Sequence, residues 1–272
     1  VYHGHSSDAQ LLLNTGLCPI LEGAVANRFF MNEFPSLCEA SSLPNRKTFV
    51  PTAHTLWNQD KITKAYDYNE LFAHVCSDKT LFSNVEKYID STVNEGFFVQ
   101  VATMASHTPF AEYADSSSLN LQNVEFPSTL KNYVKCVNYT DQSLSGIVNK
   151  VMNDEKYANT ILVVMGDHAV FSPDDKTRFQ KFFDLKNIKF NIGDGYVPFF
   201  VYSKAINKKN RENICYQSDA YPTILSLINK NYYWKGLGVN LLDDSPETYS
   251  TGDMTAISDR LINGSFFKQI QK

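Results

Sequence analysis

Short apolar runs of β-forming residues alternate along this chain with longer runs at helical spacing, and that alternation constrains the fold more than any other feature. Four runs read as strands, at residues 48–52, 97–103, 160–165 and 197–202. They are rich in Val, Ile and Phe, as strands buried on both faces of a parallel sheet are. Between and beyond them, apolar residues recur at i, i+3, i+4 and i+7, which predicts helices over 7–14, 79–92, 127–152 and 220–229. The expected architecture is therefore α/β, a mainly parallel central sheet flanked by helices on both faces. In the longest helix the stripe is Leu130, Val134, Val137, Leu144, Val148 and Val151. Asp141 falls in that stripe, so its carboxylate is expected to be hydrogen-bonded or neutral. The tail from Tyr232 reads as loops with a last short helix near 257–262.

Composition enters where it excludes. Of 272 residues, 43% are hydrophobic and 20% charged, which rules out disorder and a disulfide miniprotein. No internal repeat or long linker appears, so residues 1–272 are expected to form one domain. With 25 Lys+Arg against 29 Asp+Glu the net charge is −4, no basic face is implied, and nucleic acid is not an expected partner. No run is long and apolar enough to span a membrane; the best candidate, residues 96–111, is interrupted by Gln100, Ser106, His107 and Pro109. The chain opens Val1-Tyr2-His3-Gly4, without Met and without a signal peptide, and is expected to be a piece of something longer. Its five cysteines include no C-x-x-C pair, which argues against a zinc-finger or thioredoxin-type site.

Four local patterns can carry chemistry. Met165-Gly166-Asp167-His168 directly follows an apolar strand. A carboxylate and an imidazole at a strand's carboxyl end point into the crevice where open α/β sheets bind ligands, and together they suit a divalent metal. The alternative is a plain strand-ending turn. Ser106-His107-Thr108-Pro109 also follows a strand, so His107 opens either into the same crevice or onto backbone partners. Gly4-His5-Ser6-Ser7-Asp8 opens a Leu-rich helix. Ser6 or Ser7 is either a simple N-cap or a nucleophile beside free N–H groups that stabilise a phosphoryl or sulfuryl oxyanion. A serine nucleophile needs a base or a metal to activate it. The fourth pattern is His54-Thr55-Leu56-Trp57-Asn58-Gln59. Asn58 and Gln59 are uncharged donors for phosphate or hydroxyl oxygens, His54 is either a ligand contact or surface, and Trp57 reads as packing.

Taken in order, these motifs resemble the lipoteichoic acid synthase group of the alkaline phosphatase superfamily, which includes phosphoglycerol transferases and sulfatase-like proteins. Gly4-His5-Ser6-Ser7-Asp8-Ala9 is similar to the family's G-K-T-S-D-A. Trp57-Asn58-Gln59 is similar to its W-N-R. Ser106-His107-Thr108-Pro109-Phe110 is similar to its N/S-H-x-P-F/Y, and Gly166-Asp167-His168 to its G-D-H-G. Tyr139-Thr140-Asp141 and Asp219-Ala220-Tyr221-Pro222-Thr223-Ile224-Leu225 agree with it as well.

The resemblance implies a sulfatase-like fold and a metal-dependent phosphotransferase or phosphodiesterase. Ser6 would be the nucleophile and a metal ligand, and Asp167 and His168 would be further ligands. His107 would contact the phosphoryl group or protonate the leaving group. His54, Trp57, Asn58 and Gln59 would line the head-group pocket. The implied cofactor is one divalent ion, Mn²⁺ first, with Zn²⁺, Mg²⁺ and Ca²⁺ as alternatives. The implied substrate is a lipid or glycan phosphodiester of the cell envelope, handled outside the cytoplasmic membrane by a membrane-anchored parent protein. Hydrolysis of phosphate or sulfate esters, and a non-catalytic binding domain, are the other readings. The family's first metal ligand is a Glu on an upstream strand, which this chain is expected to lack. Gln59 stands where the family has an Arg that grips phosphate in a bidentate way. The C/S-x-P-x-R segment of formylglycine sulfatases has no counterpart in Ser6-Ser7-Asp8-Ala9-Gln10 or at Cys18-Pro19-Ile20.

Overall fold

The computed structural model describes residues 6–20, 23–53, 58–189, 197–206, 215–228 and 238–243. In chain order the elements are α1 (Ser6–Thr15), α2 (Val25–Arg28), α3 (Leu37–Ser41), β1 (Asn45–Val50), α4 (Gln59–Ala65), β2 (Glu70–Ala73), α5 (Asp78–Thr92), β3 (Phe97–Val101), α6 (Ser128–Asn153), β4 (Leu162–Met165), α7 (Pro173–Leu185), β5 (Phe199–Tyr202) and α8 (Ala220–Ile228). They divide between two compact units. One comprises Val1–Leu43, Trp57–Tyr68 and Asn207–Lys272; the other comprises Pro44–Leu56 and Asn69–Ile206.

The second unit holds the sheet. β1, β2 and β3 are parallel in the order β2-β1-β3, with Phe49 opposite Phe72 on one side and Val101 on the other. The expected parallel sheet flanked by helices is present. α5 packs against β1 and α6. Leu81, Phe82, Val85 and Ile89 of α5 meet Phe49 of β1 and Ile147 and Val151 of α6 in one core. Each such side chain contributes about 1.5–3 kcal/mol on burial. Ser77 caps α5 by accepting from Thr80 N at 3.2 Å.

Two features differ from expectation. β4 pairs antiparallel with β5, Met165 opposite Phe199, in a separate two-stranded sheet. Phe200 on β5 is 65% exposed, so this pair is not covered on both faces. In α6 the buried stripe is Leu130, Cys136, Tyr139, Ile147 and Val151. The helix is rotated from the expected register: Val137 and Asp141 are exposed and Thr140 turns inward. Asp141 therefore needs no buried partner.

In the first unit α1 packs on α8 and α3. Ala9, Leu11 and Leu12 are buried there, as are Tyr221, Ile224 and Leu225. The Asp219-to-Leu225 motif has a structural account. Asp219 accepts from Tyr216 N (2.8 Å) and Val239 N (3.0 Å), while Thr223 Oγ1 donates to Asp219 O and accepts from Leu241 N at 2.9 Å. These bonds clasp the 238–243 segment to the start of α8, and burial pushes the Asp219 carboxyl up despite them. The five cysteines form no disulfide, and Cys38 and Cys136 are fully buried. No helix among the described residues is long and apolar enough to cross a membrane. The short helix expected near 257–262 lies outside the described residues.

Candidate functional site

Asp167 and His168 follow β4 through Gly166. Gly166 N donates to Pro198 O at 2.9 Å, and a Cβ on Gly166 would sit 2.8 Å from Val197 Cβ and 2.9 Å from Pro198 Cδ. Only glycine lets the two backbones approach this closely. The next two residues then fold onto each other. His168 N donates to Asp167 Oδ1 at 2.9 Å, and His168 Nε2 lies 3.3 Å from Asp167 Oδ2. His168 Nδ1 is 2.9 Å from Ala169 O. A carbonyl only accepts, so Nδ1 carries the proton. In the neutral ring Nε2 then turns its lone pair toward a carboxylate oxygen. Two acceptors this close call for a proton or a cation between them.

That donor set fits a divalent ion in part. Metal-bound histidines commonly donate their other ring N–H to a carbonyl, as His168 does to Ala169. A separation of 3.3 Å suits neighbouring N and O ligands whose bonds to the ion run about 2.0–2.2 Å. Among the described residues no group of three or more His, Cys, Asp or Glu gathers at one point, so the pair offers two donors and is not by itself a complete ligand set.

His107 is exposed in the loop after β3. Its N–H donates to Met104 O at 2.9 Å, and its Nδ1 lies 2.7 Å from Thr108 O, which leaves Nε2 as the outward nitrogen. The loop continues through a cis Thr108-Pro109 bond to Phe110, whose φ of 60° is left-handed. Burial fixes Phe110 there at 2% exposure. It packs with Tyr133, Phe171 and, through Phe171, with Phe179. Phe171 lies three residues beyond His168, so the His107 loop and the Asp167–His168 turn share one aromatic cluster.

Of the other residues with expected roles, Ser6, Asn58 and Gln59 lie in the first unit. Ser6 is the first residue of α1 and half-buried. Asp8 is fully buried, and its charge adds to burial in pushing the Tyr66 hydroxyl well up. Asn58 precedes α4 with a left-handed φ of 54°, a conformation Asn tolerates, and its Nδ2 donates to Ala26 O at 3.1 Å. Gln59 is buried at 5% exposure. His54 and Trp57 lie outside the described residues.

Two residues had no role assigned from sequence. Asp78, fully buried, accepts from Met104 N at 3.0 Å and from Ala105 N at 3.3 Å, and Thr140 Oγ1 donates to it at 2.8 Å. Asp78 begins a helix after a Ser, where an acid reads as an ordinary dipole partner. Thr140 carried a signal, the Tyr-Thr-Asp motif, of which Thr140 rather than Asp141 turns inward.

A family model described as Sulfatase matches residues 37–230. The chain is 24% identical over 287 residues to lipoteichoic acid synthase 2 of Bacillus subtilis, an alignment covering 97% of this chain and 44% of that one. It is 21% identical to the lipoteichoic acid synthase of Staphylococcus aureus, with the same coverage. The chain thus spans less than half the length of these relatives. Among solved structures, the lipoteichoic acid synthase LtaP of Listeria monocytogenes superposes with a TM-score of 0.74 at 18% identity, covering 89% of this chain and 64% of that one. The Streptococcus pyogenes phosphoglycerol transferase GacH in complex with sn-glycerol-1-phosphate superposes with a TM-score of 0.62 at 17% identity, covering 85% and 63%.

Proposed function

The chain belongs to the sulfatase family, and from that membership we propose that it is the catalytic domain of a phosphoglycerol-transferase-like enzyme acting on an envelope lipid or glycan head group. One observation supports this most: the likeness to lipoteichoic acid synthases runs along 97% of the chain. Residues 1–272 act as a single functional domain in this reading. The substrate is a phosphodiester such as a glycerophosphate-bearing lipid, and the reaction takes place outside the cytoplasmic membrane on a membrane-anchored parent protein.

Ser6 Oγ attacks phosphorus. The Oγ–P bond forms as the P–O bond to the leaving alcohol breaks, and the hydroxyl proton that Ser6 gives up passes by way of His107 Nε2 to that alcohol. An acceptor alcohol, or water, then attacks phosphorus, and its proton passes by way of His107 Nε2 to Ser6 Oγ as the Oγ–P bond breaks, so Ser6 recovers its hydroxyl. Asp167 Oδ2 and His168 Nε2 would hold one divalent cation, Mn²⁺ in the first instance. When bound, such an ion lowers the pKa of a nucleophilic hydroxyl and offsets charge on the phosphoryl oxygens. Asn58, Gln59, His54 and Trp57 line the head-group pocket in this reading. Sulfate-ester cleavage through formylglycine is not proposed, because Ser6-Ser7-Asp8-Ala9-Gln10 carries neither the Pro nor the Arg of that chemistry.

Incubation with a glycerophosphate lipid and Mn²⁺, followed by peptide mass spectrometry, tests the reading. A phosphoglyceryl ester on Ser6, absent from Ser6→Ala together with turnover, is the expected result. Full turnover by Ser6→Ala would sink it.

A further inference from the structure

Asp78 stands apart among the acids of the Pro44–Leu56, Asn69–Ile206 unit. Its side chain is fully buried at the N-terminal end of α5. Burying a carboxylate is costly unless its oxygens are satisfied, and these are satisfied from two directions. Met104 N (3.0 Å) and Ala105 N (3.4 Å) donate to Oδ1. Ala105 N (3.3 Å) and Thr140 Oγ1 (2.8 Å) donate to Oδ2. The two amides are consecutive and lie just after β3. The first belongs to the residue whose carbonyl receives His107 N at 2.9 Å. One carboxylate thus fixes the start of α5, the middle of α6 and the turn that presents His107.

Charge-assisted bonds to backbone N–H groups are shorter and stronger than neutral ones, so they hold a peptide plane more tightly than a Ser or Asn could. Farther along, His107, Thr108 and Pro109 are exposed, and the loop is tied at Phe110, which is buried, donates its N–H to His107 O at 3.2 Å and accepts from Cys136 Sγ at 3.6 Å. Without the Asp78 anchor, the direction of His107 would depend on the Phe110 end of the loop. We propose that Asp78, tied to Thr140, is a positioning residue that aims His107, which rests on the role given to His107 above. The pair also accounts for the Tyr139-Thr140-Asp141 stretch. Thr140 is its working member, Tyr139 stacks on Tyr113 at 5.1 Å with rings 5° apart, and Asp141 is exposed.

The test compares the full chain with Asp78→Asn, Thr140→Val and Thr140→Ser. Three quantities are measured: amide hydrogen exchange, the NMR signal of the His107 ring, and kcat and KM for bis(p-nitrophenyl) phosphate with Mn²⁺. In Asp78→Asn the Met104 and Ala105 amides are expected to exchange roughly tenfold faster or more, with β1 and α6 unchanged, because bonds to a charged acceptor are lost locally. The His107 signal shifts, and kcat falls by about tenfold while KM stays close to wild type. Thr140→Val moves all three readouts the same way by less, and Thr140→Ser keeps wild-type values. If Asp78→Asn does not fold, the Thr140 pair decides.

Exchange that quickens uniformly through the unit would overturn the inference, since Asp78 would then be holding the fold and nothing more. So would an unmoved His107 signal, or an unchanged kcat beside loosened amides. A wild-type chain silent on every phosphodiester would sink the functional reading instead. Exchange and the His107 signal would still decide whether Asp78 aims that ring.

Discussion

Phe110 and Phe171 pack edge to face, ring centroids 6.1 Å apart at 66°, and that contact joins the loop bearing His107 to the segment bearing His168. Tyr133 of α6 touches both rings, at 5.3 Å and 4.8 Å. The two motif tips of this unit are therefore fixed by the same hydrophobic cluster, which also holds Ala114 and Cys136.

Phe110 should be the most informative member to change. It is 2% exposed and adopts a left-handed backbone. Phe110→Ala is expected to cost about 3–5 kcal/mol in denaturant unfolding through the cavity it leaves. Phe110→Gly should be no worse, although glycine ordinarily destabilises relative to alanine. An L residue at φ near 60° costs roughly 1–2 kcal/mol that glycine avoids. A glycine variant clearly less stable than the alanine one would show that the left-handed turn does not persist in solution.

Gly166 makes a sharper case. Its Cβ position is occupied by Val197 Cβ and Pro198 Cδ, both stiff groups with no flexible end to swing aside. Gly166→Ala is expected to lower the thermal midpoint by the equivalent of about 1–3 kcal/mol, the usual cost of overpacking. It should also part Gly166 N from Pro198 O. Faster exchange of the Gly166 amide, beside unchanged exchange in α5, would mark the damage as local to the β4–β5 end.

These contacts show where sequence reasoning reached and where it stopped. α1, α5, α6 and α8 were legible because each carries an apolar stripe at helical period. α7 was not, because its Asp, Lys, Arg and Gln residues leave only Phe179 fully buried. Its start signal was nevertheless present, Ser172 accepting from Asp175 N with Pro173 and two acids following. β2 is only four residues long with an exposed first position, too short to carry a strand pattern of its own. The antiparallel pairing of β4 with β5 depends on how the chain returns, which no local pattern encodes. Within α6 the expected stripe ran through Val137 and Asp141, whereas the buried face runs through Cys136, Tyr139 and Ile147, and Thr140 finds its partner inside in Asp78. The DH and SH motifs were visible as dipeptides, but the tautomer of His168 depends on a carbonyl that only the folded turn supplies.

The α5–α6 seam has a predictable acid response. Lys150 Nζ reaches both oxygens of Asp90, at 2.9 Å and 2.8 Å, and Tyr157 OH donates to it as well. The Lys150 bond first, then the Tyr157 bond, hold the Asp90 carboxyl below its ordinary value. A carboxylate lowered in the fold stabilises above its unfolded value of about 3.9, and that share is lost as pH falls through the lower folded value. With 44% of the side chain exposed the pair is worth no more than about 1 kcal/mol. Asp90→Asn should therefore be slightly less stable than wild type at pH 7 and should converge with it as pH falls through the lowered Asp90 value. A difference that persisted in acid would mean that Tyr157 packing, rather than charge, is what Asp90 supports.

The Asp167–His168 turn carries the prediction on which the chemistry depends. The Ala169 carbonyl holds the Nδ1 proton, so the neutral ring has only Nε2 to offer, and Nε2 lies 3.3 Å from Asp167 Oδ2. A divalent ion would relieve that opposition and gain two ligands at once. Mn²⁺ titration by calorimetry should show one site, and Asp167→Ala should weaken it beyond the ten- to hundredfold typical of losing an outer partner. His168→Ala should weaken it comparably, while His107→Ala should leave Mn²⁺ affinity unchanged, since the proposed reaction has His107 act on the phosphoryl group rather than on the ion. Because metal bound to the folded chain stabilises it by mass action, the thermal midpoint should rise with Mn²⁺ in wild type and in His107→Ala but not in Asp167→Ala. Mn²⁺ bound equally well by Asp167→Ala would remove the turn from the metal site and leave its Asp–His contact as a local hydrogen bond only.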